Sequence, residues 1–359
     1  MKVSAFYGGI PVRVHVESLV HEPAIVVGTP GRILELIETG ALKLDALRTL
    51  VLDEADRMLD MGFEPAIKAI QKALPKKRQT LLFSATFPDA VRELSKSHQR
   101  EPKEILLDTD TRSEHIEQRF FDVPANRKLD ALVQLFGQLQ PAQALVFCNT
   151  KIDCQHVQQH LAKAGFDVCA LHGDLEQRDR DEAMVRFQNG SVRVLVATDV
   201  AARGLDVSDL PLVISYELAH QPDVHVHRVG RTGRAGKDGL ALALVAPSEA
   251  GRVNAVEEQM SLRAQWQRID LSAISLSPLK ADWKTLVIDA GRKDKLRPGD
   301  ILGALTGKQQ IAAAQVGKIA LFDTRSYVAL HKNVSDKALQ LLRQDKIKGR
   351  SFRVRLLND

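Results

Sequence analysis

The tetrad Asp53-Glu54-Ala55-Asp56 comes directly after the apolar run Leu50-Val51-Leu52. Such a run reads as a buried strand, so the carboxylates sit just past its C-terminal edge, where open α/β sheets bind ligands. Hydrolysing a phosphoanhydride takes a cation on the phosphates and a group that orients water, and neighbouring carboxylates can supply both. Ser84-Ala85-Thr86 closes another apolar run at the same edge, with two hydroxyls in reach of the acidic cluster or of a partner domain. Thr29-Pro30-Gly31-Arg32 closes a third, and a helix start with a basic side chain suits a backbone phosphate. Three polar strand ends are expected together.

Further along, residues 197–206 (ATDVAARGLD) follow another apolar run, and 227–234 (HRVGRTGR) are dense in guanidinium and glycine. Arg231 and Arg234, three apart with small residues between, can reach one phosphate cluster. Guanidinium fingers that stabilise charge on a transferred phosphoryl group are worth roughly 10³ to 10⁵ in rate. His225 and His227 have no Cys or carboxylate beside them at zinc spacing, so a metal pair is not expected there.

These residues need a scaffold of alternating strands and helices. Apolar runs at 24–27, 49–52 and 80–83, separated by helical patterns at 32–39 and 64–74, predict βαβ units on a parallel sheet over 1–107. A polar stretch at 108–117 reads as a linker. The alternation resumes at 144–147, 168–171, 192–196, 212–215 and 239–245, giving a second α/β domain over 118–250. Residues 251–283 are polar and mixed and read as a connector without assigned fold. From 284 to 359 the order is strand 285–288, helix 298–306, strands 318–321 and 327–330, helix 335–344 and strand 351–356, the βαββαβ order of a ferredoxin-like or RNA-recognition fold.

With 359 residues, 44% of them apolar, the chain can bury two or three separate cores. Cys148, Cys154 and Cys169 are odd in number and lack CxxC spacing, which argues against a disulfide framework or a structural zinc and for a reducing cytoplasm. Residues 1–12 show no signal pattern, and no apolar run approaches the ~18 residues that span a bilayer, so no membrane role is expected. The net charge of +5 is unevenly spread. Residues 280–359 hold 17 of the 50 Lys and Arg but 8 of the 45 Asp and Glu, a local +9 that leaves −4 for the rest. That C-terminal segment is the electrostatic candidate for a polyanion such as nucleic acid.

In order, Gly8-Gly9, 29–32, the DEAD tetrad 53–56, 84–86, 146–150 (VFCNT), Gln177 to Arg180, 197–206 and 227–234 resemble the motif series of the DEAD-box ATP-dependent RNA helicases, over roughly residues 8–250. That resemblance implies two RecA-like lobes that close over ATP and a bent RNA strand. It makes Asp53 the carboxylate that holds Mg²⁺ through water and Glu54 the residue that activates the attacking water. Arg231 and Arg234 become the arginine fingers, Asp56, Ser84, Thr86 and His227 the coupling residues, and Gly204 and Asp206 the nucleotide contacts. RNA backbone contacts fall on Gly8, Gly9, Thr29, Gly31, Arg32, Gln177, Arg180 and Thr198, because the family grips phosphates and sugars.

No GxxxxGK[ST] phosphate loop occurs anywhere in the chain, which starts at the segment leading into Gly8-Gly9, and the family's upstream glutamine and first RNA-contact motifs are absent. The first lobe is therefore expected to be incomplete, with unpaired strand edges, and the chain by itself to have negligible ATPase activity. In the C-terminal segment the RNA-recognition pattern keeps only Tyr327 and Val328, and Val287 stands where an aromatic would stack. Candidate RNA contacts there are Arg325, Tyr327, Lys346, Lys348 and Arg350, with Lys308, Lys318, Arg353 and Arg355 in support. A helicase core followed by such a domain resembles the branch of the family tied to large-subunit ribosomal RNA and pre-ribosomal particles during ribosome assembly. Two other classes stay open: a non-catalytic RNA-binding protein and a DNA helicase of the wider superfamily.

Overall fold

Short Val-, Ile- and Leu-rich strands joined by helices pair in parallel, since each crossover returns the chain to the same end of the sheet. The computed structural model describes residues 1–106, 115–202, 207, 209–233, 238–272, 277–307 and 311–357. It divides into two units, Met1–Leu107 and Asp108–Asp359.

Unit 1 runs β1 (Val3–Phe6), α1 (Val12–Ser18), β2 (Ile25–Gly28), α2 (Pro30–Glu38), β3 (Thr49–Leu52), α3 (Ala55–Asp60), α4 (Glu64–Lys72), β4 (Gln79–Leu82) and α5 (Asp89–His98). Its strands form two separate parallel pairs, β1 with β2 and β3 with β4. This corrects the expectation that 24–27, 49–52 and 80–83 end together on one sheet. Strand β1, which the sequence pattern did not reveal, takes the edge of β2, and only the second and third runs pair. Each pair has its own small core: Phe6, Leu36 and Leu42 in one, and Leu52, Ala55, Ile67, Val91 and Leu94 in the other.

Unit 2 begins with β5 (Ile116–Asp122), α6 (Lys128–Leu139), β6 (Ala144–Cys148), α7 (Lys151–Lys163), β7 (Val168–Leu171), α8 (Gln177–Gln188) and β8 (Val194–Thr198). It continues through α9 (Asp199–Ala202), β9 (Leu212–Ser215), α10 (Pro222–Val229), β10 (Gly239–Val245), α11 (Ala250–Met260) and β11 (Gln265–Gln267). Together these strands form a seven-stranded parallel sheet in the order β11-β5-β10-β9-β6-β8-β7. Its central strands β6, β8 and β9 are buried along their whole length, as a sheet covered on both faces requires. The stretch 251–283 is thus no plain connector: α11 and the edge strand β11 complete this lobe, and Leu279 lies in its core. Of the expected linker, 108–114 lie outside the described residues, and Ile116 already belongs to β5.

The C-terminal domain has β12 (Trp283–Ile288), α12 (Pro298–Thr306), β13 (Val316–Leu321), β14 (Ser326–His331), α13 (Ser335–Gln344) and β15 (Val354–Leu356). Its antiparallel sheet, in the order β13-β14-β12-β15, has the expected βαββαβ topology. Leu286, Ile288, Val328 and Leu330 face the two helices. The other face, with Val287 and Tyr327, lies against Val185 of α8. Among the described residues no helix is long and apolar enough to cross a membrane.

Candidate functional site

In unit 1 the acidic tetrad turns the chain out of β3. Glu54 caps α3 at φ 51° and ψ 50°, a left-handed conformation unusual for a residue with a side chain and the kind of local strain found at functional sites. Asp53 stands exposed beside it and accepts the Glu54 N–H at 3.0 Å. Asp56 points inward. Its Oδ2 accepts from Thr86 N–H at 3.1 Å and Thr86 Oγ1 at 2.8 Å, and its own N–H donates to Ser84 Oγ at 3.2 Å. The DEAD and Ser-Ala-Thr strand ends are therefore locked together by one buried carboxylate and two hydroxyls. Magnesium bound mainly by phosphates and water uses one or two carboxylates, which the exposed Asp53 fits.

The other strand ends of unit 1 meet at the C-terminal edge of the β1–β2 pair. Gly9 turns the chain at φ 79° after β1, and Thr29 caps α2 after β2. A Cβ on Gly28 would stand 2.5 Å from the Phe6 carbonyl oxygen, so that crossing needs glycine. Gly8 and Gly31 have open space around them. Arg32 departs from the expectation of a phosphate-facing guanidinium. Its side chain is only 12% exposed, pairs with Glu35, donates to Ile10 O at 2.8 Å and touches His15 Nδ1 at 2.7 Å. Burial, with the Arg32 charge, lowers the His15 pKa. Arg32 braces the Gly8-Gly9 turn from within because its short helix offers the guanidinium more partners inside than outside.

In lobe 2 the organising group is Arg228, which the sequence reading did not single out. It is 1% exposed. Its Nε and Nη2 grip both Asp199 oxygens at 2.7 Å, Nη2 also meets Asn149 Oδ1 at 2.7 Å, and Nη1 donates to Glu217 O at 2.7 Å. Asn149 N–H in turn donates to Glu217 Oε2 at 2.9 Å. One buried guanidinium thus ties the ends of β6, β8 and β9 to α10, whose continuation holds Arg231; the Arg231 N–H donates to Arg228 O at 3.1 Å. His227 lies on α10 next to it. The signal available in the sequence was an arginine directly after His227 with a strand-end aspartate, Asp199, to meet it. Burial and the Arg228 charge push His225 down to about 4.

Thr198 ends β8 with little exposed surface. Gln177 opens α8 and donates to Asp181, and Arg180 Nη2 reaches Ala201 O at 3.5 Å, so the start of α8 and the segment after Thr198 adjoin. Burial holds the Asp181 carboxyl above its usual range, against the Gln177 hydrogen bond and the Arg180 charge. Arg234, Gly204, Asp206 and Lys308 lie outside the described residues.

On the C-terminal domain, Tyr327, one of the candidate RNA contacts, is covered. It is 2% exposed, edge-on to Phe322 at 5.5 Å and packed with Val185 of lobe 2, because its sheet face is the docking face. Arg325 is also largely covered and pairs with Asp289 at 3.4 Å. Lys346, Lys348 and Arg350 are exposed. Lys348 Nζ donates to Lys295 O at 3.1 Å, and Arg350 lies 3.6 Å from Asp294. The fold thereby adds Arg292, Lys293 and Lys295, all exposed, to the same basic rim.

Comparison with known proteins accounts for all three parts. Residues 1–94 match the DEAD/DEAH box helicase model, 127–236 the helicase conserved C-terminal domain and 285–356 the DbpA RNA binding domain. The chain is 49% identical over 356 residues to the ATP-dependent RNA helicase DbpA of Escherichia coli, covering 99% of this chain and 78% of that protein. It is 33% identical over 380 residues to the ATP-dependent RNA helicase DbpA of Bacillus subtilis, covering 100% and 79%. Among solved structures, S. cerevisiae Dbp5 bound to RNA and ADP BeF3 shares 30% identity at a TM-score of 0.66, covering 76% of this chain and 71% of that one. Mss116p bound to ssRNA and AMP-PNP shares 28% at 0.66, covering 75% and 57%. With two such relatives each matched over more than three quarters of its length, the chain belongs to the DEAD-box ATP-dependent RNA helicases.

Proposed function

We propose that this helicase remodels short duplexes in large-subunit ribosomal RNA during ribosome assembly, in the cytoplasm, anchored on a structured RNA element by its C-terminal domain. The observation that carries this reading is the match of residues 285–356 to the DbpA RNA binding domain, on a segment of net positive charge. In the core, Asp53 would hold Mg²⁺, and Glu54 orients the attacking water. Magnesium, when bound, neutralises charge on the β- and γ-phosphate oxygens. Arg231 and Arg234 stabilise the transferred phosphoryl group, while Gly204 and Asp206 meet the nucleotide. Asp56, Ser84, Thr86 and His227 couple that chemistry to RNA. Gly8, Gly9, Thr29, Gly31, Gln177, Arg180 and Thr198 line the RNA path, and Lys346, Lys348 and Arg350 hold phosphates on the C-terminal domain.

These 359 residues contain no GxxxxGK[ST], and the cradle of N–H groups and lysine in that loop is what grips the β- and γ-phosphates. A cleft of about 980 Å³ lies between β4 and the chain around Gln99 to Ile105, where Gln99 Nε2 donates to the β4 carbonyl of Thr80 at 3.1 Å. The lack of that motif in these residues favours a second reading, in which the chain on its own binds RNA without turning over ATP. RNA-stimulated phosphate release separates the two: the 359-residue chain is expected to release negligible phosphate, and turnover like that of a complete helicase would overturn the second reading. Replacing Lys346, Lys348 and Arg350 together by alanine is expected to weaken binding of a large-subunit ribosomal RNA fragment and to flatten its salt dependence by roughly two to three phosphate contacts. An unchanged slope would remove those residues from the RNA surface, and equal affinity for matched DNA at the same salt would remove the RNA assignment.

A further inference from the structure

The C-terminal domain is not hung on lobe 2 by a loose tether. Leu271 and Leu279 pack into the lobe 2 core, and strand β11 pairs with β5, so little slack remains before β12 begins. The second half of α8 then meets the sheet face of the C-terminal domain. Val185 joins Val287, Tyr327 and Leu357 in one apolar cluster. Around it, Asn189 Nδ2 donates to Thr285 Oγ1 at 2.9 Å, Ser191 Oγ meets the same hydroxyl at 2.5 Å, and Lys318 Nζ donates to Gln188 Oε1 at 3.4 Å. Arg355 faces Glu182 at 3.8 Å, and burial together with the Glu182 charge raises the pKa of the Tyr327 hydroxyl. A second strut stands apart from α8. There Asp167 accepts the Ala281 N–H at 2.5 Å and Lys280 Nζ at 3.3 Å, while Arg193 donates to Lys280 O at 2.9 Å.

Domains in one chain move relative to each other unless their interface is apolar and specific. Here an apolar patch is framed by a buried hydroxyl network whose members are mutually satisfied, which selects one geometry. The helix bearing that patch starts at Gln177 and Arg180, and its 12 residues span about 16 to 18 Å as a stiff rod. We propose that α8 is a rigid link holding the RNA-gripping start of lobe 2 in fixed register with the C-terminal domain, with Glu182, Val185 and Asn189 as its positioning residues. This rests on the reading of Gln177 and Arg180 as RNA contacts. An RNA with a structured part and a single-stranded part then meets two sites at a set spacing, and binding one part presents the other at high effective concentration.

The test uses the full chain and two kinds of measurement. Cys148, Cys154 and Cys169 are buried, with thiol pKa values pushed up by burial, so spin labels can be placed on Lys163→Cys in lobe 2 and Asp336→Cys on α13, both exposed sites. Without RNA, the wild-type background is expected to give one narrow distance distribution, and a broad one overturns the rigid link. Val185→Arg is expected to broaden it, and Glu182→Arg, which opposes Arg355 at the rim, does the same if Val185→Arg fails to fold. The second measurement compares affinities for a large-subunit ribosomal RNA hairpin, an oligouridine strand and the two joined. The joined RNA is expected to bind about 10²-fold more tightly than either part. That gain should fall at least about tenfold in the interface variants while each part alone stays within about twofold, a split that mere loss of stability does not produce. A gain that survives once the distances have broadened overturns the coupling. A narrow distance with no binding of oligouridine instead overturns the assignment of Gln177 and Arg180, and the coupling with it.

Discussion

Unit 1 and lobe 2 are built from the same kind of strand and helix, yet they bury their strands very differently. In lobe 2 every interior strand has a neighbour on each side, and the central strands β6, β8 and β9 are buried throughout. In unit 1 each strand has one partner, and Val27, Val51 and Phe83 remain about half exposed or more, at 56%, 52% and 54%. A parallel strand is stable when both its edges and both its faces are used, and two-stranded pairs satisfy neither condition. The difference teaches that strand propensity alone does not make a lobe; the neighbours do. Native-state hydrogen exchange puts the comparison at risk most directly. Amides of β6 and β8 are expected to be protected at least about 10³-fold more than those of β3 and β4, a difference in opening free energy of roughly 4 kcal/mol. Equal protection would break the comparison.

The second contrast lies in how each lobe ties its strand ends. Lobe 2 uses a buried ion pair between Arg228 and Asp199, with Asn149, the Glu217 carbonyl and Ser215 Oγ filling the remaining donors. Asp199→Ala leaves that guanidinium buried without its counter-ion and is expected to destabilise lobe 2 by roughly 3 to 5 kcal/mol, measured by denaturant unfolding. Replacing both partners by apolar residues of similar volume is expected to restore much of the loss. If Asp199→Ala costs under about 1 kcal/mol, the hub is not what holds these ends.

His225 sharpens the comparison through pH. Its folded pKa of about 4 lies below the ordinary 6.5, so the unfolded chain binds the extra proton first as pH falls. The contribution of the neutral, buried ring is complete above pH 6.5 and is lost as pH drops toward 4, amounting to about 3 kcal/mol at most. Thermal unfolding of lobe 2 should therefore steepen in its pH dependence over that window, and His225→Gln should flatten it. Identical slopes for both proteins would assign the acid sensitivity to other groups.

What could be read from the residues follows the same divide. Strands such as Ala144–Cys148 and Leu212–Ser215 were legible because they are buried on both faces and uniformly apolar, and the helices Pro298–Thr306 and Ser335–Gln344 because their apolar faces carry a helical period. Strand Val3–Phe6 was not, since only Ser4 and Phe6 point inward, and Gln265–Gln267 becomes a strand only by pairing with β5. The acidic tetrad and the Ser-Ala-Thr end were found from type and position. Arg228 was passed over because an arginine in a basic motif does not announce its burial, and Tyr327 was misplaced because the surface covering it comes from a helix some 140 residues earlier in the chain. Contacts made between separate elements leave no period in either one.

The smallest expected effect falls in unit 1, where Thr86 and Asp56 do the work that Arg228 and Asp199 do in lobe 2. Thr86→Val keeps the volume and β-branching but removes the hydroxyl donor at 2.8 Å, while the Thr86 N–H contact to Asp56 Oδ2 stays in place. A hydrogen bond to a charged group contributes roughly 1.5 to 3 kcal/mol, but the Thr86 N–H that remains and the nearness of solvent at this strand end place the expected loss near 1 kcal/mol. Because the opening of unit 1 is already expected to be easy, the change should appear as faster exchange at Leu52, just before the tetrad, and at Ala55 within it, with no change in lobe 2. A loss as large as that of Asp199→Ala would mean that the two lobes secure their strand ends with equal strength, and that the exposed strands of unit 1 are held by this cluster rather than by their neighbours.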